Sequence, residues 1–286
     1  VSDSPPRVAI LGAGRVGRAF YGRLTEKKHP PVLLWTRIEA TAEAARQQGF
    51  PATSGPLPTT PADIVLLAVS DPAVVELAAA VAAAKPGFGV GTVVAHMAGA
   101  LDLTPLEPLR AAGYRVGSFH PIVSFASPRA ELAHRYAAIA GASDDVLHVL
   151  DRLATTLEMK TIRPTGNRTR YHAAATLAGN FPQVLLEAAA RLLKENGLSH
   201  EEAVAAFGPL LVSAARNAAE LGPVQGLSGP VRRGDVEVVR RHLEVLATET
   251  GDLDALYRAA SRVAVDLAES AGAPNSAPLR EVLAKT

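Results

Sequence analysis

Arg168, His172, Thr176 and Asn180 recur at every fourth position of an otherwise apolar stretch. On a helix this spacing draws one ridge along one side. Polar groups on an apolar helix must find partners or they cost free energy. The ridge is therefore either a packing seam or the wall of a cleft in which a few polar groups converge on a small substrate. Two more histidines, His96 and His120, close the apolar runs Gly91–Ala95 and Tyr114–Phe119. Histidine titrates near neutrality and suits proton transfer. Arg168 carries a fixed charge suited to a carboxylate, and Asn180 suits orienting a substrate. Tyr171 and Tyr257 are reserve O–H donors. For each of these side chains the plainer role is core or interface hydrogen bonding. No metal-ligand spacing is present. The chain has no cysteine, which excludes thiol catalysis, disulfides and iron–sulfur clusters.

A second pattern concerns phosphate. Val8–Leu11 reads as a buried strand, and Gly12-Ala13-Gly14-Arg15-Val16-Gly17 follows at G-x-G-x-x-G spacing before a helical pattern. Gly12 allows the sharp turn, Gly14 lets backbone approach a pyrophosphate, and Gly17 lets helix and strand pack closely. The free N–H groups at the helix start favour an anion. The next strand, Val32–Trp35, ends in Thr36-Arg37 with no acid at its tip. An acid there would accept from the ribose hydroxyls of NAD. A hydroxyl and a guanidinium suit the 2′-phosphate of NADP instead. Later strand tips, Val69-Ser70-Asp71 and His96 with Ala98 and Gly99, fall on the same expected rim. They complete the candidate cofactor set with Ala13, Arg15 and Val16.

The elements that must position these residues alternate through residue 164. Continuous apolar runs such as Ile64–Val69 read as parallel strands buried on both faces. Helices are expected over Arg15–Thr25, Glu39–Gln48, from Asp71-Pro72 to Ala84, and over Ser143–Thr155, with Asp71 and Ser143 as N-caps. Arg135–Ala140 and Glu158–Ile162 are the last strands. The alternation predicts an α/β Rossmann doubly wound parallel sheet with its strand ends on one edge. From Pro164 onward only helical patterns remain, so an all-α C-terminal domain is expected over 165–286. Its helices are expected over Asn167–Asn196, from the capping box at Ser199-His200-Glu201-Glu202 to Leu221, and over Val236–Thr248 and Leu253–Ala271.

The 286 residues carry a net charge of +1 and no basic block, so nucleic acid is not an expected partner. The apolar runs are interrupted before membrane-spanning length. Val1–Pro6 reads as a polar tail without a signal pattern. A cytoplasmic protein is expected.

The chain resembles the Rossmann-like proteins with a C-terminal helical domain of the DUF2520 type, similar in plan to pyrroline-5-carboxylate reductase, ketopantoate reductase and 6-phosphogluconate dehydrogenase. The resemblance rests on Ile10–Gly17, Ser118-Phe119-His120-Pro121, Tyr171–Ala175 with Asn180, and Leu227-Ser228-Gly229-Pro230 with Arg233-Gly234-Asp235. It implies a homodimer built from the helical domains. The wider superfamily commonly places a lysine near the position of Arg168. An arginine binds a carboxylate but is a poor general acid, so a direct copy of the ketopantoate reductase mechanism is not implied. The expectation is an NADPH-dependent oxidoreductase acting on a C=O or C=N bond of a small molecule. His120 or His172 would be the proton donor. The alternative is a non-catalytic NADP-binding protein.

Overall fold

The computed structural model describes residues 6–84, 87–89 and 91–284. By backbone contacts the chain divides into two units, Val1–Asn180 and Phe181–Thr286. The polar tail read at residues 1–5 lies outside the described residues.

The first unit is built on eight strands: β1 (Val8–Leu11), β2 (Leu33–Trp35), β3 (Ala52–Thr53), β4 (Ile64–Leu67), β5 (Val93–His96), β6 (Arg115–Ile122), β7 (Tyr136–Gly141) and β8 (Lys160–Ile162). They form one sheet in the order β3-β2-β1-β4-β5-β6-β7-β8. The first six are parallel and follow the 3-2-1-4-5-6 order of a Rossmann fold. Every residue of β1 and β4 is buried. Alternate side chains feed two separate cores, as a strand's two-residue period requires. Val8, Ile10, Ile64 and Leu66 pack with Phe20 and Phe119 on one face. Ala9, Leu11, Val65 and Leu67 pack with Val74, Ala78 and Leu109 on the other.

Helices α1 (Arg15–Glu26), α2 (Glu39–Arg46), α3 (Asp71–Ala84), α4 (Glu107–Ala111) and α5 (Asp144–Thr156) connect the strands. Helix α3 begins at Asp71, one residue before the capping pattern predicts, because the Ser70 carbonyl takes the Val74 N–H at 3.2 Å. The all-parallel expectation needs one correction. β7 runs antiparallel to β6, and β8 is parallel to β7. No helix separates β6 from β7, so the chain makes no crossover and returns beside itself. The ends of β7 and β8 therefore lie on the edge opposite the other tips.

The helix expected over 167–196 is two helices, α6 (Arg168–Gly179) and α7 (Phe181–Lys194). Pro182 has no N–H to offer the Ala178 carbonyl, and its ring would collide with that carbonyl. The break falls at Asn180, the C-cap of α6. Helix α6 thus belongs to the sheet-bearing unit.

The second unit continues with α8 (His200–Leu221), α9 (Pro223–Gly226), α10 (Pro230–Arg233), α11 (Val236–Leu246), α12 (Leu253–Ser270) and α13 (Ser276–Ala284). The Ser199–Glu202 capping box forms both bonds, at 3.2 and 2.8 Å. Val239, Leu243, Val265 and Leu279 centre its core. No helix among the described residues is long and apolar enough to cross a membrane.

Candidate functional site

The turn after β1 is held by close approach. Gly12 has φ +126°, and a Cβ there would overlap the Ala68 carbonyl of the neighbouring strand's exit. A Cβ on Gly17 would overlap the Gly12 carbonyl. Gly14 differs: a Cβ on it meets nothing within 4 Å, so its backbone faces open space where a ligand can come near. Gly14 also caps α1 with no side chain bonded to the first-turn N–H groups. These observations fit a pyrophosphate at the start of α1.

Two clefts open from this turn within the first unit. The first, about 440 Å³, runs from Gly12, Ala13 and Gly14 past Val69 and Ser70 to Thr36 and Arg37. Its far wall is α3, through Ala73, Glu76, Leu77 and Ala80. Those four lie at i, i+3, i+4 and i+7, one face of the helix. Arg37, placed here by the exit of β2, forms an ion pair with Glu76. Glu76 was not legible as a site residue, although the face it shares is written in that spacing.

The second cleft, about 410 Å³, is lined by Gly14, Arg15, Val16, Val69, Ser70, Asp71, Ala98, Gly99, His120 and His172, with Met97 and Phe125. It gathers most of the expected rim. His120 lies within β6, opposite Ala138 of β7, and His172 comes from the second turn of α6. Their rings are 6.0 Å apart. A Cβ on Gly99 would crowd both, so glycine leaves the room in which the two histidines meet.

His120 Nδ1 lies 2.7 Å from the Tyr171 hydroxyl, and the two rings meet edge to face at 5.6 Å. Burial, then the positive charge of Arg168, push the His120 pKa down to about 4. Burial also raises the Tyr171 pKa above the ordinary phenol value. The Arg168 guanidinium stacks 4.7 Å from the Tyr171 ring centre. Its three nitrogens are buried, and none has a hydrogen-bond partner among the described residues. Burial lowers its pKa. A buried guanidinium without partners is costly, and a planar carboxylate is the group that satisfies it best.

Four expected site residues line neither cleft. His96 lines neither cleft and is fully buried. Its side chain lies on the Val94 side of β5, where the chain from Leu101 to Leu106 covers it, and its Nε2 donates to the Asp102 carbonyl at 2.9 Å. Burial lowers its pKa, so it is a neutral structural histidine. Asn180, exposed at the end of α6, is brought to neither cleft. On the same ridge, Thr176 Oγ1 donates back to the His172 carbonyl at 3.0 Å. Gly17 lies beneath the turn rather than in a cleft. Arg168 lines neither cleft surface, but stands behind His120 and Tyr171.

A Rossmann-like domain model matches residues 2–121, and a model of a domain of unknown function, DUF2520, matches residues 135–264. No functionally curated protein matches the chain in sequence. Among solved structures, a provisionally assigned NADP oxidoreductase from Bacteroides fragilis is 24% identical, with a TM-score of 0.71 over 92% of this chain and 98% of that one. An imine reductase from a Pseudomonas species is 18% identical, with a TM-score of 0.58 over 98% and 100%. A pyrroline-5-carboxylate reductase from Coxiella burnetii is 18% identical, with a TM-score of 0.57 over 99% and 100%. At these identities the likeness is one of fold.

Proposed function

We propose that this chain, a Rossmann-like domain followed by a DUF2520 domain, is an NADPH-dependent reductase of a C=O or C=N bond in a small, carboxylate-bearing substrate. One observation carries the reading. The cleft that opens from the glycine turn holds His120 and His172, and beside it the Arg168 guanidinium nitrogens are buried with no hydrogen-bond partner among the described residues. The names of the solved neighbours, an NADP oxidoreductase, an imine reductase and a pyrroline-5-carboxylate reductase, support the same reaction class.

Bound NADPH would supply a hydride from its nicotinamide. Gly12, Gly14 and the first turn of α1 would hold its pyrophosphate, and Thr36 and Arg37 would take its phosphorylated ribose. Arg168, which stands behind His120 and Tyr171, would bind the substrate carboxylate once those side chains make way for it, and so fix the reacting carbon. The proton comes from a relay. At neutral pH Tyr171 keeps its proton and His120 is neutral. Tyr171 then donates to Nδ1, and the His120 hydrogen sits on Nε2, the nitrogen beside Gly99. As charge develops on the substrate oxygen or nitrogen, Nε2 gives up its proton, and Nδ1 takes the one from Tyr171. The tyrosinate left behind lies against Arg168, whose charge stabilises it. Water restores the phenol after release. His172, on the same wall, completes the pocket.

The helical unit is assigned a role in homodimer formation. Val184 and Leu185 on α7 and Leu210 and Val212 on α8 are large apolar side chains left exposed, and a second copy would cover them. Sedimentation at micromolar concentration checks this, with a mass of two chains expected.

The reaction is tested by following loss of reduced-nicotinamide absorbance with a panel of keto acids and cyclic imines. Turnover of carboxylated members is expected. Firm NADPH binding with no turnover of any member would favour the non-catalytic reading.

A further inference from the structure

The cleft at the adenosine end has an unusual charge inventory. Among the described residues that line it, only Arg37 and Glu76 are charged. They are paired with each other across the cleft, one from the exit of β2 and one from α3. The pair is open to solvent, with the side chains 66% and 63% exposed. The arginine that would receive a 2′-phosphate is therefore already occupied by a carboxylate. Glu76 is not a stray surface acid. Its neighbours Ala73, Leu77 and Ala80 share the helix face that walls the cleft, so its side chain is directed at the same space as Arg37.

We propose that Glu76 is a second selector for the dinucleotide: it competes with the 2′-phosphate for Arg37 and so limits the preference for NADPH over NADH. This rests on the dinucleotide reading of the cleft. A phosphate entering the site must displace the Glu76 carboxylate and then remains near it, which opposes binding. An unphosphorylated ribose leaves the ion pair intact and meets a carboxylate able to accept from its hydroxyls. Removing the carboxylate charge frees Arg37 for phosphate and takes an acceptor from the ribose.

The test is fluorescence titration of the full chain with NADPH and with NADH, for the wild type and Glu76→Gln. An exposed pair is weak, so the expected change is modest. NADPH should bind about fivefold tighter, with NADH unchanged or weaker. The salt response adds a second readout. NADPH binding by the variant, where a free guanidinium meets the phosphate, should weaken more steeply with added salt than in the wild type. Glu76→Asp, which keeps the charge, should stay close to the wild type. An unchanged NADPH-to-NADH ratio in Glu76→Gln, or equal tightening of both, would overturn the proposal. Binding of neither cofactor by the wild type would overturn the dinucleotide reading beneath it, and the two failures are distinguishable.

Discussion

The two clefts that share the glycine turn treat charge in opposite ways. At the adenosine end the charges are exposed and already matched, Arg37 with Glu76. At the histidine end, behind a lining that carries Arg15 and Asp71, the Arg168 guanidinium is buried and has no hydrogen-bond partner among the described residues, and His120 is held neutral by burial and by that arginine. A matched, solvated pair gives up little when a ligand replaces one member, so it suits recognition with modest selectivity. An unmatched buried charge is relieved only by the right ligand, so it suits a site that must fix one atom for chemistry. On the proposed reading, the difference separates the residues that choose a cofactor from those that act on a substrate.

That contrast can be broken at each end. The largest effect is expected from Tyr171→Phe, which removes the relay's proton but keeps the ring under Arg168. Turnover should fall about a hundredfold, the usual scale for a general acid, with NADPH affinity little changed. A fall in affinity with turnover intact would place Tyr171 in cofactor binding instead. A smaller effect is expected from Arg37→Ala. Loss of a charged hydrogen-bonding partner should weaken NADPH about tenfold and NADH much less. Equal weakening of both would remove the 2′-phosphate from that cleft.

The third prediction concerns stability. His120 titrates at about 4 in the folded chain against an ordinary 6.5. Between those values the unfolded chain binds the extra proton, so stability is full above pH 6.5 and falls as pH drops towards 4. With its partial exposure allowed for, the contribution is on the order of 1 kcal/mol. His96, shifted the same way, adds to it. In His120→Asn the slope of Tm against pH over this window should flatten. An unaltered slope would mean that His120 is not held neutral by its surroundings.

The glycine turn was readable because each position is dictated by local contacts: Gly12 against Ala68, Gly17 against Gly12, Gly14 against nothing. The break between α6 and α7 was half readable. Pro182 marked a kink, but a proline does not say whether the helix bends or stops. Strand direction was not readable at β7, because an alternating or apolar run looks the same in either direction. His96 shows a further limit. Its place at the tip of β5 follows from sequence, but its surroundings depend on which face the side chain takes and on how the chain just after it folds back over that face. His120, on the adjacent strand β6, faces a cleft instead. Glu76 is not legible as a site residue because α3 is apolar for most of its length beyond Asp71, and a lone acid in that stretch looks like a solvated residue. Its meaning came only from the arginine across the cleft. The Tyr171–His120 bond joins residues 51 apart in sequence. The Tyr171-His172 pair pointed to α6 but not to which of the two would reach His120.

The most direct measurement compares kcat/KM, with NADPH, on two cyclic imines that differ only in a carboxylate beside the C=N carbon, for the wild type and Arg168→Met. The account predicts that the wild type prefers the carboxylated imine by about a hundredfold, the scale of a buried charge pair. It also predicts that Arg168→Met loses that preference while still binding NADPH. A preference that survives in the variant, or a wild type that binds NADPH and turns over neither imine, would contradict it.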